Sequence, residues 1–222
     1  MFDYAGISFY AYGSSTILIY SCSPIWFYSL IDSYVFPLIG LHCGVSFFLA
    51  AFSLTIYTQR PFPFIKRLIQ MTPLAILWSI SMFVILVLPY FSKDVELSLK
   101  INYFNHAVHA VVFLLGVAFF STEFPQRIFP GKLDFFGQSH HWFHICVFLT
   151  AKLQFDSCYT DYIENRHLIE VSRQAPSLLM CLLPLILLSV FCLLVIGGFR
   201  QIMWLRHRFD ENGNFDDSLK IK

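Results

Sequence analysis

Apolar residues in this chain come in long runs separated by short polar stretches. Several runs reach the roughly 18–20 residues that a helix needs to cross a bilayer. The pattern predicts six spans, at about 4–23, 35–56, 71–91, 103–121, 136–155 and 176–198, followed by a polar tail over 199–222. No intervening stretch is long enough to form a soluble domain. The whole of 1–222 therefore reads as a single transmembrane domain, an all-α polytopic helix bundle.

Composition supports the same class. The chain is 57% hydrophobic and only 13% charged, with a mean hydropathy of +0.63. A soluble domain of this length would need more charge to cover its surface. The net charge of +1 implies no bulk attraction to nucleic acid. The six cysteines have no CxxC spacing and fall mostly within apolar runs, where free cysteine packs as a small hydrophobe. Cys22 and Cys158 fall on the same predicted side, which leaves a disulfide between them open. The opening MFDYAGISFY has no basic segment and does not read as a cleavable signal. If the N-terminus is cytosolic, ten Lys and Arg residues fall inside, among them Arg60, Lys66, Arg67, Arg127 and Lys132; Lys93, Lys100, Lys152, Arg166 and Arg173 fall outside. That bias predicts both termini in the cytoplasm.

Small residues predict close helix contacts: Gly6, Gly13, Ser14 and Ser15 in the first span, and Gly40 and Gly44 around His42 and Cys43 in the second. The stretch 57–70 contains RPFPFIKR. Its prolines stop a helix and its basic residues suit anionic headgroups. Pro73 lies near the start of the third span and Pro89 near its end. The stretch after the fifth span, DSCYTDYIENRHLIEVSRQ, reads as an acidic outer loop without the spacing of a calcium site. The last span is apolar all round, and Gly197–Gly198 is expected to end it.

The stretch with the most chemistry is FFSTEFPQRIFPGKLDFFGQSHHWFH, residues 119–144. Ionisable groups inside a span are costly and mark function by default. His140 and His144 are four apart and share a helix face; His141 and His144 are an alternative pair three apart. Two imidazoles on one helix can hold a zinc ion, and a catalytic zinc takes three protein ligands and a water. Asp3, on the same predicted edge, could ligate the metal, orient its water or act as a general base. His106 and His109 also share a face, at the opposite membrane edge. Ligation by them competes with interhelical hydrogen bonding.

DYAGIS, YGSS, RPFPFIKR and above all FPQRIFPGKLDFFGQSHHWFH resemble the progestin and adipoQ receptor family, and within it the membrane progestin receptors. The resemblance covers nearly the whole chain. It implies seven transmembrane helices, with an eighth in the progestin branch, and Zn2+ near the cytoplasmic face. It also implies that His140 and His144 are zinc ligands, that His141 is not, and that Asp3 contacts the zinc-bound water. The family's third zinc histidine belongs to a Ser-x-x-x-His motif that this chain lacks. The chain is therefore expected to be an N-terminally truncated form. Gln126 stands where the family often has an acidic residue, an exchange expected to touch only a surface contact.

The resemblance implies a receptor for a steroid such as a progestin, in contact with membrane lipids and a cytosolic signalling protein, in the plasma membrane. The alternatives are a zinc-dependent, ceramidase-like amidase acting on sphingolipids, with Asp3 catalytic, or an inactive truncated isoform.

Overall fold

The computed structural model describes residues 1–55, 63–91, 99–129, 131 and 137–211. Among them the chain is helical throughout, without a strand: α1 (Phe2–Cys22), α2 (Ile25–Ile31), α3 (Val35–Thr55), α4 (Pro63–Leu86), α5 (Tyr103–Thr122), α6 (Ser139–Ser172) and α7 (Leu178–Glu211). Short 3-10 turns follow α2 and α4, at Asp32–Tyr34 and Leu88–Phe91.

Among the described residues, three helical stretches are long and apolar enough to cross a membrane: Val35–Thr55, Tyr103–Thr122 and Leu178–His207. The sequence predicts six spans. The difference lies partly in α1 and α6, whose inner faces are polar. The buried positions of α6 are Ser139, Phe143, Cys146, Thr150, Gln154, Ser157, Cys158, Asp161, Asn165 and Ile169. Their three- and four-residue spacing puts them on one side. The opposite side shows Phe148, Phe155 and Tyr159, with Phe148 70% exposed. On α1 the buried stripe likewise contains Ser8, Ser15 and Ser21. Polar residues inward and apolar residues outward is the order expected of helices whose surroundings are lipid.

α1 is the hub and packs against α3, α4 and α6; α3 also meets α7, and α5 lies along α6. One core joins Tyr12 and Ile19 of α1 to Ile39, Cys43 and Phe47 of α3 and to Leu188 and Cys192 of α7. A second joins Leu18 and Cys22 to Met82, Ile85 and Cys158. α1 and α6 run parallel: Asp3 lies beside His140 and His144, and Cys22 beside Asp161. α5 runs antiparallel to α6, with His106 against Asp161 and Phe120 against His140.

Several sequence expectations are corrected. Residues 156–172 are not an outer loop but the second half of α6. Their inward face remains packed, and Lys152–Asp156 and Arg166–Glu170 pair across single turns on the outside, at 2.6 and 2.8 Å. Gly197–Gly198 does not end the last helix, which runs to Glu211; glycine lowers helix propensity without breaking a helix. α4 begins at Pro63, so residues 63–70 are helical and Pro73 lies inside the helix. Proline is well placed at a first helical position. The carbonyl of Pro73 faces His42 Nε2 at 2.7 Å. Cys22 and Cys158 are free thiols. Gly40 and Gly44 do meet another helix, lying against Pro184 and Phe191 of α7, but Gly6 and Gly13 face open space. Arg60, Pro61, Lys93, Pro130, Lys132 and the tail from 212 onward lie outside the described residues.

At Gly116 α5 lies close against α6. A Cβ there would stand 2.9 Å from that of Cys146, closer than carbon atoms pack. Gly116→Val is expected to cost about 1–3 kcal/mol, read as a lower thermal midpoint in detergent. An unchanged midpoint would contradict this packing.

Candidate functional site

Polar side chains line the contact between α1 and α6 from end to end. At the first end, Gln126 fixes the start of α6: its Oε1 accepts from the Ser139 backbone N–H at 3.3 Å and from its hydroxyl at 3.5 Å. Gln126 is therefore part of the site's frame, rather than the surface contact expected from the sequence. One turn of helix then places His140 and His144 together, with their Nε2 atoms 3.0 Å apart. Asp3, in the first turn of α1, spans the pair: Oδ2 is 3.4 Å from His140 Nε2 and Oδ1 is 3.4 Å from His144 Nε2. The imidazoles are each 46% exposed and the carboxylate 33%, so the group opens to the surroundings. Phe143, which is buried, and Phe120 pack beside the rings.

The donor atoms of Asp3, His140 and His144 all lie within 4.8 Å of one another, and His141 is not in the group. Two imidazole nitrogens and a carboxylate, facing one another, form a donor set suited to zinc. Three protein donors also leave a position for a fourth ligand. The residues present thus fit the metal that the sequence resemblance implies.

Midway along the contact, Tyr10 Oη donates to Gln154 Oε1 at 2.8 Å, and Gln154 Nε2 donates to Ser14 Oγ at 2.8 Å. Clefts open on both sides of this triplet. One, of about 260 Å³, is bordered by Ile17, Phe155 and Cys158 as well. The other is lined by Leu18, Trp78, Phe113, Phe143 and Val147; Trp78 and Phe113 stack there with centroids 4.8 Å apart.

At the far end, His106 and Asp161 pair at 2.7 Å and both are fully buried. Cys22 Sγ lies 3.7 Å from the same carboxylate oxygen. Beyond them Arg173, just past α6, donates to the Ser23 carbonyl and stacks on the Tyr28 ring at 4.7 Å. Burial pulls its guanidinium down to about 10, so it remains charged at neutral pH.

Sequence reasoning located Asp3, His140 and His144, and the structure brings all three together. Gln154 is not among the residues expected from the sequence, and Asp161 lies in the stretch expected to be an acidic outer loop. A signal for both was present: Thr150, Gln154, Ser157, Asp161 and Asn165 recur every three or four residues, a polar face that continues through the supposed loop. Gln154→Leu would remove the shared partner of Tyr10 and Ser14 inside the bundle. It is expected to destabilise the chain by about 1–3 kcal/mol, measured as a lower thermal midpoint with unchanged helix content. No loss would contradict a structural role for the triplet.

The family described as Haemolysin-III related matches residues 1–155. Membrane progestin receptor alpha of Cynoscion nebulosus is 27% identical over 169 residues, covering 76% of this chain and 47% of that protein. Membrane progestin receptor alpha-B of Danio rerio is 29% identical over 177 residues, covering 76% and 48%. Membrane progestin receptor alpha of Homo sapiens is 28% identical over 169 residues, covering 76% and 47%. The resemblance read from the histidine helix therefore holds. The chain spans about half the length of the curated relatives it matches. No solved structure matches.

Proposed function

The chain belongs to the haemolysin-III-related family, and on that footing we propose that it is a receptor-like membrane protein that binds a progestin-like steroid among its helices and signals from the membrane. The observation that carries the steroid is the cleft of about 260 Å³ that Tyr10, Ser14 and Gln154 border together with the apolar Phe9, Ile17, Ala151 and Phe155. Small-molecule sites are mostly apolar, with a few placed polar groups that fix orientation. A steroid is a rigid apolar body with polar ends, and the Tyr10 hydroxyl, held by Gln154, can still accept a hydrogen bond from such an end. The printed names of the relatives, membrane progestin receptors, favour the same class. In this reading the chain spans the plasma membrane six times with both termini cytosolic. Asp3, His140 and His144 hold Zn2+ at the cytoplasmic face, where a signalling protein would dock.

Saturable binding of tritiated progesterone to membranes carrying the chain tests the receptor. Binding is expected to survive His140→Ala/His144→Ala and to weaken about tenfold in Gln154→Leu, a loss of one hydrogen bond. Absence of saturable binding would overturn the steroid reading.

The convergence of Asp3 on both histidines supports a second reading, a zinc-dependent amidase acting on ceramide-like lipids. Bound zinc would polarise the amide carbonyl and lower the pKa of a water. Asp3 would accept and return the proton at its carboxylate oxygens. The double histidine variant is expected to lose about one zinc per chain relative to the unaltered protein, by elemental analysis. If this reading is correct, it also abolishes fatty-acid release from ceramide. Equal zinc in the two proteins would remove both the metal site and this reading.

A further inference from the structure

The cluster at the far end of α1 lies outside the site above. Cys22 and Asp3 are nineteen positions apart on one helix, or about 28 Å. The cluster draws on three helices. Cys22 closes α1, His106 stands in the first turn of α5, and Asp161 lies deep in α6. All three are essentially inaccessible. We propose that Cys22, His106 and Asp161 form a second metal site, one that takes a thiolate-tolerant divalent ion of the zinc class.

The geometry separates this from an ordinary buried ion pair and from a nucleophilic triad. In a Cys–His–Asp relay the imidazole uses one nitrogen for each partner. Here both partners face the same nitrogen. His106 Nε2 is 2.7 Å from Asp161 Oδ2 and 3.9 Å from Cys22 Sγ, and Sγ is 3.7 Å from the same Oδ2. These three separations define a circle of about 2.0 Å radius, so one point lies near zinc–ligand distance, ~2.0–2.3 Å, from all three donors. Cys158, one turn before Asp161 on α6, touches the Cys22 thiol and supplies a fourth candidate donor. It also borders the 260 Å³ cleft, an entry path for an ion.

The surroundings are those of a ligand set. The second carboxylate oxygen of Asp161 accepts from the Asn102 backbone N–H at 3.1 Å, which leaves Oδ2 to face the cluster. Outer partners of this kind orient metal ligands. Asn102 also caps α5, its side chain accepting from Asn105 N–H at 3.2 Å, so the carboxylate and the histidine helix are held by one residue. His109 stands edge-on to His106, with ring centroids 5.4 Å apart. Both of its nitrogens, and Nδ1 of His106, are buried without a hydrogen-bond partner. Buried polar atoms are rarely left this way. Loading would release the Cys22 proton and use the Nε2 lone pair of His106, with the imidazole proton on Nδ1. One thiolate and one carboxylate would then cancel the double positive charge, which suits a low-dielectric interior.

Cobalt(II) is the probe, because only a thiolate site gives sulfur-to-cobalt charge-transfer absorption in the near ultraviolet. The Asp3 cluster contains no sulfur, so failure there leaves this readout untouched. The purified 222-residue chain, reduced with a phosphine, is expected to show the band on cobalt addition. His140→Ala/His144→Ala should keep it, with about one cobalt per chain. Cys22→Ser/Cys158→Ser should lose it and Cys192→Ser retain it. A reduced, monodisperse wild-type chain that shows no band overturns the proposal, whatever the variants do. So does a band that survives in Cys22→Ser/Cys158→Ser, or a Cys22–Cys158 disulfide that persists in reductant.

Discussion

The contact between α1 and α6 is the constraint on which the rest depends. In lipid a buried polar side chain has no water to turn to, and an unpaired one is costly. Tyr10 and Ser14 on α1 and Gln154 on α6 satisfy one another across the contact, which fixes one register. Asp3 then falls against His140 and His144, Tyr10 and Ser14 against Gln154, and Cys22 against Asp161. A slip of one turn would break all of these at once. α5 closes the same seam from the other side, through His106 at one end and the close approach at Gly116.

This seam gives the molecule two donor clusters of different character. The one at the start of both helices is open, built of imidazole and carboxylate, and suited to an ion that meets substrate or solvent. The one at the far end is buried and includes thiol, which suits a structural ion. Between them lies the polar triplet with its apolar clefts. Exchange of ligand in the middle would pull on the same two helices that carry both clusters, which gives a physical route by which a membrane-borne ligand and the open cluster could sense each other.

Much of this was legible in the residues. The apolar runs mark α3 and α5 almost to the residue, because each helix is one long, mostly apolar stretch bounded by polar residues. The His140/His144 spacing and Asp3 pointed to the open cluster, because helical period alone sets which side chains share a face. The far cluster was not legible. Its members come from three helices, and Asp161 sat in a stretch whose charge density resembled a loop. α6 escaped for the same reason: averaged hydropathy cannot separate a solvated segment from a helix with a polar inner face. Gly197–Gly198 likewise suggests an end for α7 by propensity alone, and the helix continues through it.

The inward polar face of α6 is the central claim, and lipid photocrosslinking tests it most directly. A diazirine-bearing amino acid is placed at single positions from 145 to 161 in membranes and the adducts are identified by mass spectrometry. Positions 148, 155 and 159 should capture lipid, while 150, 154, 157 and 161 should capture protein, in helical alternation through residue 161. Lipid capture at the polar positions, or loss of the alternation beyond 155, would contradict the account.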